Sequence, residues 1–189
     1  MLISELVGKN VAIWGLGREG NAVLEYLQKH NVTSNIRIFE NDSEVNLDGV
    51  EVVIKSPGGS LYKPEIIEAK SKGIKFTSSS DLFLSEMRAR NPKCRVIGVS
   101  GSKGKSTSVS AMAHMMSAAG FRVGLGGNNG RPIIELLDGD YDYVVGEFSS
   151  YQAADLSASP QIVMFTNLFY VHTDWHNHSH DQYCKDKLH

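Results

Sequence analysis

Two glycine-rich turns constrain this chain more than any other feature, because each joins an apolar run of strand type to a helical pattern. The first, Gly15-Leu16-Gly17-Arg18-Glu19-Gly20, follows residues 10–14 (NVAIW). The second, Gly101-Ser102-Lys103-Gly104-Lys105-Ser106-Thr107, follows residues 95–99 (RVIGV). Glycines between a strand end and a helix start let backbone N–H groups and the positive end of the helix dipole converge on an anion such as phosphate. Strand, turn and helix in that order are also the repeating step of a parallel sheet.

The rest of the first half continues that rhythm. Ala22, Val23, Tyr26 and Leu27 give one apolar helix face,. An apolar run at Ile36–Phe39 ends on Glu40, and another at 50–54 ends on Ser56-Pro57-Gly58. Pro64 opens a helix that closes on Gly73, and residues 74–76 form a short strand,. The stretch 88–93 breaks the pattern with charge and a proline, which sets a domain boundary between 1–90 and 93–189,. A second unit then runs through strand 95–99, helix 107–119, and strands 121–125, 143–147 and 161–166. The expected fold is α/β: a Rossmann-like parallel-sheet unit followed by an incomplete P-loop α/β unit. Four strands would leave the second sheet with an unprotected flank, so the chain reads as the N-terminal part of something longer.

Composition excludes several classes. At 41% hydrophobic and 21% charged, the 189 residues are too apolar for disorder, and a net charge of −2 gives no general nucleic-acid surface,. No apolar run approaches the ~18 residues of a membrane helix, and the first residues lack a signal core, so no membrane insertion and a cytoplasmic location are expected. Cys94 and Cys184 have no metal or redox spacing and are expected to be free thiols,. A monomer is expected.

The residues point to phosphate chemistry without choosing the ligand. Gly15 permits the tight turn, Gly17 close approach of a diphosphate, and Gly20 helix–strand packing; Glu40 stands where an acid reaches a ribose hydroxyl,. NAD fits, as does any nucleotide diphosphate, and a turn used only for packing is the plain alternative. In the second turn Lys105 would reach β/γ oxygens of ATP and Ser106 or Thr107 would hold Mg²⁺,. Val99 stands where the strict P-loop has its first glycine, which makes this a variant loop. Glu147 closes a strand, where an acid can bind Mg²⁺ or simply face water; the turn Gly126-Gly127-Asn128-Asn129-Gly130 suits a substrate contact or a plain tight turn,. His172, Asp174, His176, His178, His180 and Asp181 form a cluster that could bind a metal, but alternating histidines in a polar tail more often form a solvated segment,. Only His172 is singled out as a functional ligand.

The order of the motifs GLGREG, SPGGSLYKPEI, GVSGSKGKSTSVSAMAHMM, GLGGNNGRP, GEFSSYQ and TNLFYVHTDWH…DQYCKDK resembles the Mur ligases along the whole chain. The family's P-loop also lacks the first glycine. The resemblance implies an ATP- and Mg²⁺-dependent amide-bond-forming enzyme of peptidoglycan precursor synthesis, and the Ser-Pro-Gly turn favours the branch whose substrates are UDP-N-acetylmuramoyl-L-alanine and D-glutamate. It implies that Gly15, Gly17, Arg18, Glu19, Glu40, Ser56, Pro57, Gly58 and Asn128 contact the UDP-substrate. Gly101, Ser102, Lys103, Gly104, Lys105, Ser106 and Thr107 would hold ATP, and Ser106 and Glu147 the first Mg²⁺. His172 and a carbamylated Lys187 would serve a second Mg²⁺, with Lys105, His172 and Lys187 as catalytic groups. The substrate carboxylate would take the γ-phosphoryl group, and the amine of D-glutamate would displace phosphate.

Two departures accompany the resemblance. Val171-His172-Thr173-Asp174 stands where the family usually has Asp-His-Leu-Asp, which removes a negative charge beside His172. The remainder of the central domain and the C-terminal domain, which hold adenine and the amino acid in the family, are absent, so the isolated chain is expected not to turn over. A non-catalytic substrate-binding fragment, a sister ligase for another amino acid, and a nicotinamide-dependent oxidoreductase remain as alternatives.

Overall fold

The computed structural model describes residues 1–33, 35–128, 130–169, 171 and 174–189. Two four-stranded sheets carry the fold, and every pairing in them is parallel. The first contains β1 (Val11–Trp14), β2 (Ile36–Phe39), β3 (Val52–Lys55) and β4 (Lys75–Thr77) in the order β2-β1-β3-β4. The second contains β5 (Arg95–Ser100), β6 (Val123–Gly127), β7 (Tyr143–Glu147) and β8 (Ile162–Phe165) in the order β6-β7-β5-β8. The central strands β1, β3 and β7 are almost wholly buried, as near-continuous apolar runs covered on both faces should be,.

Helices α1 (Arg18–Lys29) and α2 (Pro64–Ser71) connect the first sheet, and α1 buries the expected face of Ala22, Val23, Tyr26 and Leu27. In the second half α4 (Lys105–Ala118) follows β5, a 3-10 segment spans Ile133–Asp138, and α5 (Ser150–Ala154) follows β7. The last element is α6 (His180–Lys187).

Two readings of the sequence are corrected here. The helix α3 (Ser79–Arg90) does not register in the periodicity, because it is buried on nearly every side and shows no single apolar face. Ser78 caps it by accepting from the Asp81 N–H, and Leu82, Phe83, Leu84 and Met87 sink into a core shared with Val11, Ile13, Ile133, Ile134 and Val144,. That core is continuous between the two sheets. Strand β6 lies at 123–127 rather than 121–125, so Gly126 and Gly127 are its last residues and not part of a turn. They pair with Gly146 and Glu147 of β7, where a Cβ on Gly127 would come within 2.2 Å of the Glu147 carbonyl oxygen. Glycine is demanded there by close backbone approach.

Candidate functional site

Both glycine turns sit at the carboxyl ends of strands inside their sheets, where α/β proteins bind ligands,. At the end of β1 the Gly15 N–H donates to Phe39 O at 2.7 Å, which brings the exposed Glu40 beside the turn. The Ser56 N–H donates to Trp14 O at 2.9 Å, and a Cβ on Gly15 (φ +95°) would meet Ser56 Oγ at 2.1 Å. Gly15, Glu40 and Ser56-Pro57-Gly58 therefore meet at one edge, with the exposed Gly17 as N-cap of α1.

A Cβ on Gly20 would fall 2.0 Å from Gly15 O, so the helix can start this close to the turn only with glycine there. Gly20→Ala is expected to lose about 1–3 kcal/mol of stability, read from urea unfolding, as α1 is pushed off the turn.

Arg18 and Glu19 behave differently from the glycines. Arg18 reaches the second half, donating to Asn128 O at 2.8 Å and Gly130 O at 3.1 Å. Glu19 turns inward toward Ser79 at the start of α3, and burial raises its pKa.

The second turn is held from two sides. Gly101 (φ +141°) would place a Cβ 2.0 Å from Thr166 Oγ1. Asn167 accepts from the Ser102 N–H at 3.0 Å through its carbonyl and from the Lys103 N–H at 2.9 Å through Oδ1, while Nδ2 donates to Lys103 O at 2.9 Å. Gly104 then caps α4 in the left-handed region at φ 82°, so Lys105 and Ser106 begin the helix two residues earlier than the sequence pattern indicates. The first-turn N–H groups of α4, including that of the exposed Thr107, have no carbonyl four residues back inside the helix, which is what an anion needs,. Lys105 Nζ lies 3.5 Å from Ser102 O, close to the turn it would serve.

Beside it stands a carboxylate with hard-oxygen company. Glu147, 2% exposed at the end of β7, accepts from Ser106 Oγ at 2.7 Å through Oε2 and from Asn128 Nδ2 at 2.9 Å through Oε1. Ser106, Asn128 and Glu147 come from three separate sequence motifs and meet here. A hydroxyl and a carboxylate oxygen side by side at a helix N-terminus are the donor types Mg²⁺ takes. Lys187, buried at the end of α6, donates to Gly101 O at 3.0 Å. Burial, and secondarily the charge of Lys105, bring its pKa down to about 8.

His172 lies outside the described residues. Among the described residues no group of three or more His, Cys, Asp and Glu is placed to hold a metal ion. The polar tail is not uniformly solvated: His178 and Asp174 are exposed, but His176 is wholly buried, its Nδ1 2.6 Å from Asp186 Oδ2 and its Nε2 3.0 Å from Ser150 Oγ. Sequence reasoning also missed the buried ion pair between Lys55 Nζ and Asp155 Oδ2 at 2.8 Å. A lysine closing the apolar run VVIK was the available signal. Cys94 and Cys184 are free thiols, and no helix of the described residues is long and apolar enough to cross a membrane.

Residues 99–189 match the Mur ligase middle domain. The whole chain aligns at 36% identity over 214 residues with a UDP-N-acetylmuramoyl-L-alanine–L-glutamate ligase of Xanthomonas axonopodis pv. citri, and at 34% over 214 residues with one of Xylella fastidiosa. It covers 46% of each, so it spans about half the length of these relatives. Their names carry L-glutamate, where the resemblance implied D-glutamate. A solved structure from Neisseria meningitides, UDP-N-acetylmuramate:L-alanyl-gamma-D-glutamyl-meso-diaminopimelate ligase, shares the fold with a TM-score of 0.51 at 15% identity, over 88% of this chain and 62% of that one. The second half of the chain thus carries the Mur ligase middle domain, and the chain is similar to Mur ligases along its full length.

Proposed function

We propose that this chain is the nucleotide-binding part of an ATP-dependent ligase that joins glutamate to UDP-N-acetylmuramoyl-L-alanine. Residues 1–90 would hold the UDP-substrate at Gly15, Gly17, Glu40 and Ser56-Pro57-Gly58, and residues 93–189 would hold ATP at Gly101–Thr107. The contact of Ser106 and Asn128 with the two oxygens of Glu147 carries this reading, because it joins the P-loop, the β6 end and the β7 end in one cluster.

Bound Mg²⁺ would supply neutralisation of phosphate charge, with Ser106 and Glu147 as its protein ligands. Lys105 would face the β/γ oxygens, where a fixed positive charge stabilises the transferring phosphoryl group. The substrate carboxylate attacks the γ-phosphorus, ADP leaves, and the glutamate amine then displaces phosphate to form the amide. Lys187 is the proposed carbamylated residue: an amine with pKa about 8 is partly neutral near neutral pH, the form that adds to CO₂.

The enantiomer is taken from the relatives, so L-glutamate is favoured over D-glutamate. Titration calorimetry with UDP-N-acetylmuramoyl-L-alanine is expected to give binding near micromolar, about −8 kcal/mol. A folded sample that does not bind it removes the assignment. In the full-length enzyme, phosphate release should depend on L-glutamate; dependence on D-glutamate alone would reverse the choice.

A further inference from the structure

The four carbonyls of residues 56–59, in the turn after β3, are all taken by two side chains. Lys55 Nζ donates to Ser56 O at 3.0 Å and Gly59 O at 2.7 Å. Trp175 Nε1 is shared between Pro57 O at 3.1 Å and Gly58 O at 3.2 Å. Trp175 belongs to the second half of the chain, yet its own carbonyl accepts from Ser60 Oγ at 2.6 Å. The turn that would grip the UDP-substrate is thus held from behind by the segment leading into α6.

The same segment reaches the other turn. Asp186 has both oxygens engaged: Oδ1 accepts from the Tyr62 hydroxyl at 2.6 Å and from Gln182 Nε2 at 2.7 Å, and Oδ2 lies 2.6 Å from His176 Nδ1. Its neighbour Lys187 donates to Gly101 O, and Tyr183, one helical turn earlier, places its hydroxyl 2.7 Å from Ser102 Oγ. A path of hydrogen bonds and adjacent residues therefore joins Gly58 to Gly101. Saturated polar networks of this kind hold one geometry rather than many.

We propose that Tyr62, Trp175 and Asp186 are positioning residues that couple the Ser56-Pro57-Gly58 turn to the Lys187 amine, so that a uridine nucleotide at the first turn and an adenine nucleotide at the second bind cooperatively. The proposal rests on the reading that each turn holds phosphate. Neither Tyr62 nor Trp175 needs to touch a ligand for this; each fixes a group that does.

The test is titration calorimetry on the 189-residue chain with UDP and Mg-ADP as probes, each alone and with the other saturating. Saturating Mg-ADP should tighten UDP by about fivefold or more in the wild type, and UDP should tighten Mg-ADP by the same factor. Tyr62→Phe keeps the ring against Trp175 and removes only the hydroxyl, so each ligand alone should bind within about twofold of wild type while the coupling falls below about twofold. Trp175→Phe, checked for folding by circular dichroism, should lose coupling as well. Simple structural damage would weaken both single affinities and leave their ratio unchanged. Wild type that binds both ligands independently overturns the proposal, as do folded variants that keep full coupling. Wild type that binds neither overturns the phosphate reading itself, a failure visible before any coupling is measured.

Discussion

Lys55→Met is expected to destabilise the chain by about 3–5 kcal/mol at pH 8, the range for breaking a buried ion pair by removing one partner. The side chains of Lys55 and Asp155 are 1% and 4% exposed, so the orphaned carboxylate would have no water to turn to. Burial already lifts Asp155 from 3.8 to about 6 with its lysine in place, and pushes the Lys55 amine down. Removing the positive charge drives the carboxyl higher still. The folded state then prefers the protonated acid more than the unfolded chain does, so stability is greatest below pH 3.8 and is lost as pH rises through about 6 and beyond,. Urea unfolding at pH 5 and pH 8 should show a smaller loss at the lower pH. The double variant Lys55→Met/Asp155→Leu should recover part of it, because an apolar pair replaces the buried charges at little cost while the Ser56 and Gly59 carbonyls still lose their lysine donor. Equal losses at both pH values would mean that packing, and not charge, makes the site.

Glu147→Gln is expected to reduce the contribution of Mg²⁺ to ATP affinity by about 100-fold, the upper part of the range for damaged metal sites. Glutamine is isosteric and can still accept from Asn128 Nδ2 while its amide faces Ser106 Oγ, so the fold should be retained. What disappears is the negative charge. Titrating ATP with and without Mg²⁺ isolates the effect: wild type gains affinity from the metal and the variant gains little. A variant that responds to Mg²⁺ as wild type does would remove Glu147 from the metal site.

Much of the fold was legible because parallel strands buried on both faces spell themselves out as short apolar runs, as in VAIW and VVIK. Both glycine turns were legible for a similar local reason, since strand, glycine and helix are contiguous in sequence. Helix α3 was not, because burial on all sides erases the periodicity on which such a reading depends. Nor was the role of His176, which sits in a run of polar residues and histidines and becomes a buried group only through Ser150 and Asp186. The meeting of Ser106, Asn128 and Glu147 is a contact between distant segments; the sequence supplied the residue types and the fold supplied their adjacency.

Helix α3 does more than fill space. Chains with two ligand-binding sheets commonly join them through an exposed linker, and relative motion is then the default. Here Leu82, Phe83 and Met87 lie in one apolar core with Ile13 from the first sheet and Ile133 and Val144 from the second half. The edges that carry the two glycine turns are thereby tied to one packed core and not to an exposed linker. A change that loosens this core in one half should therefore be felt in the other,.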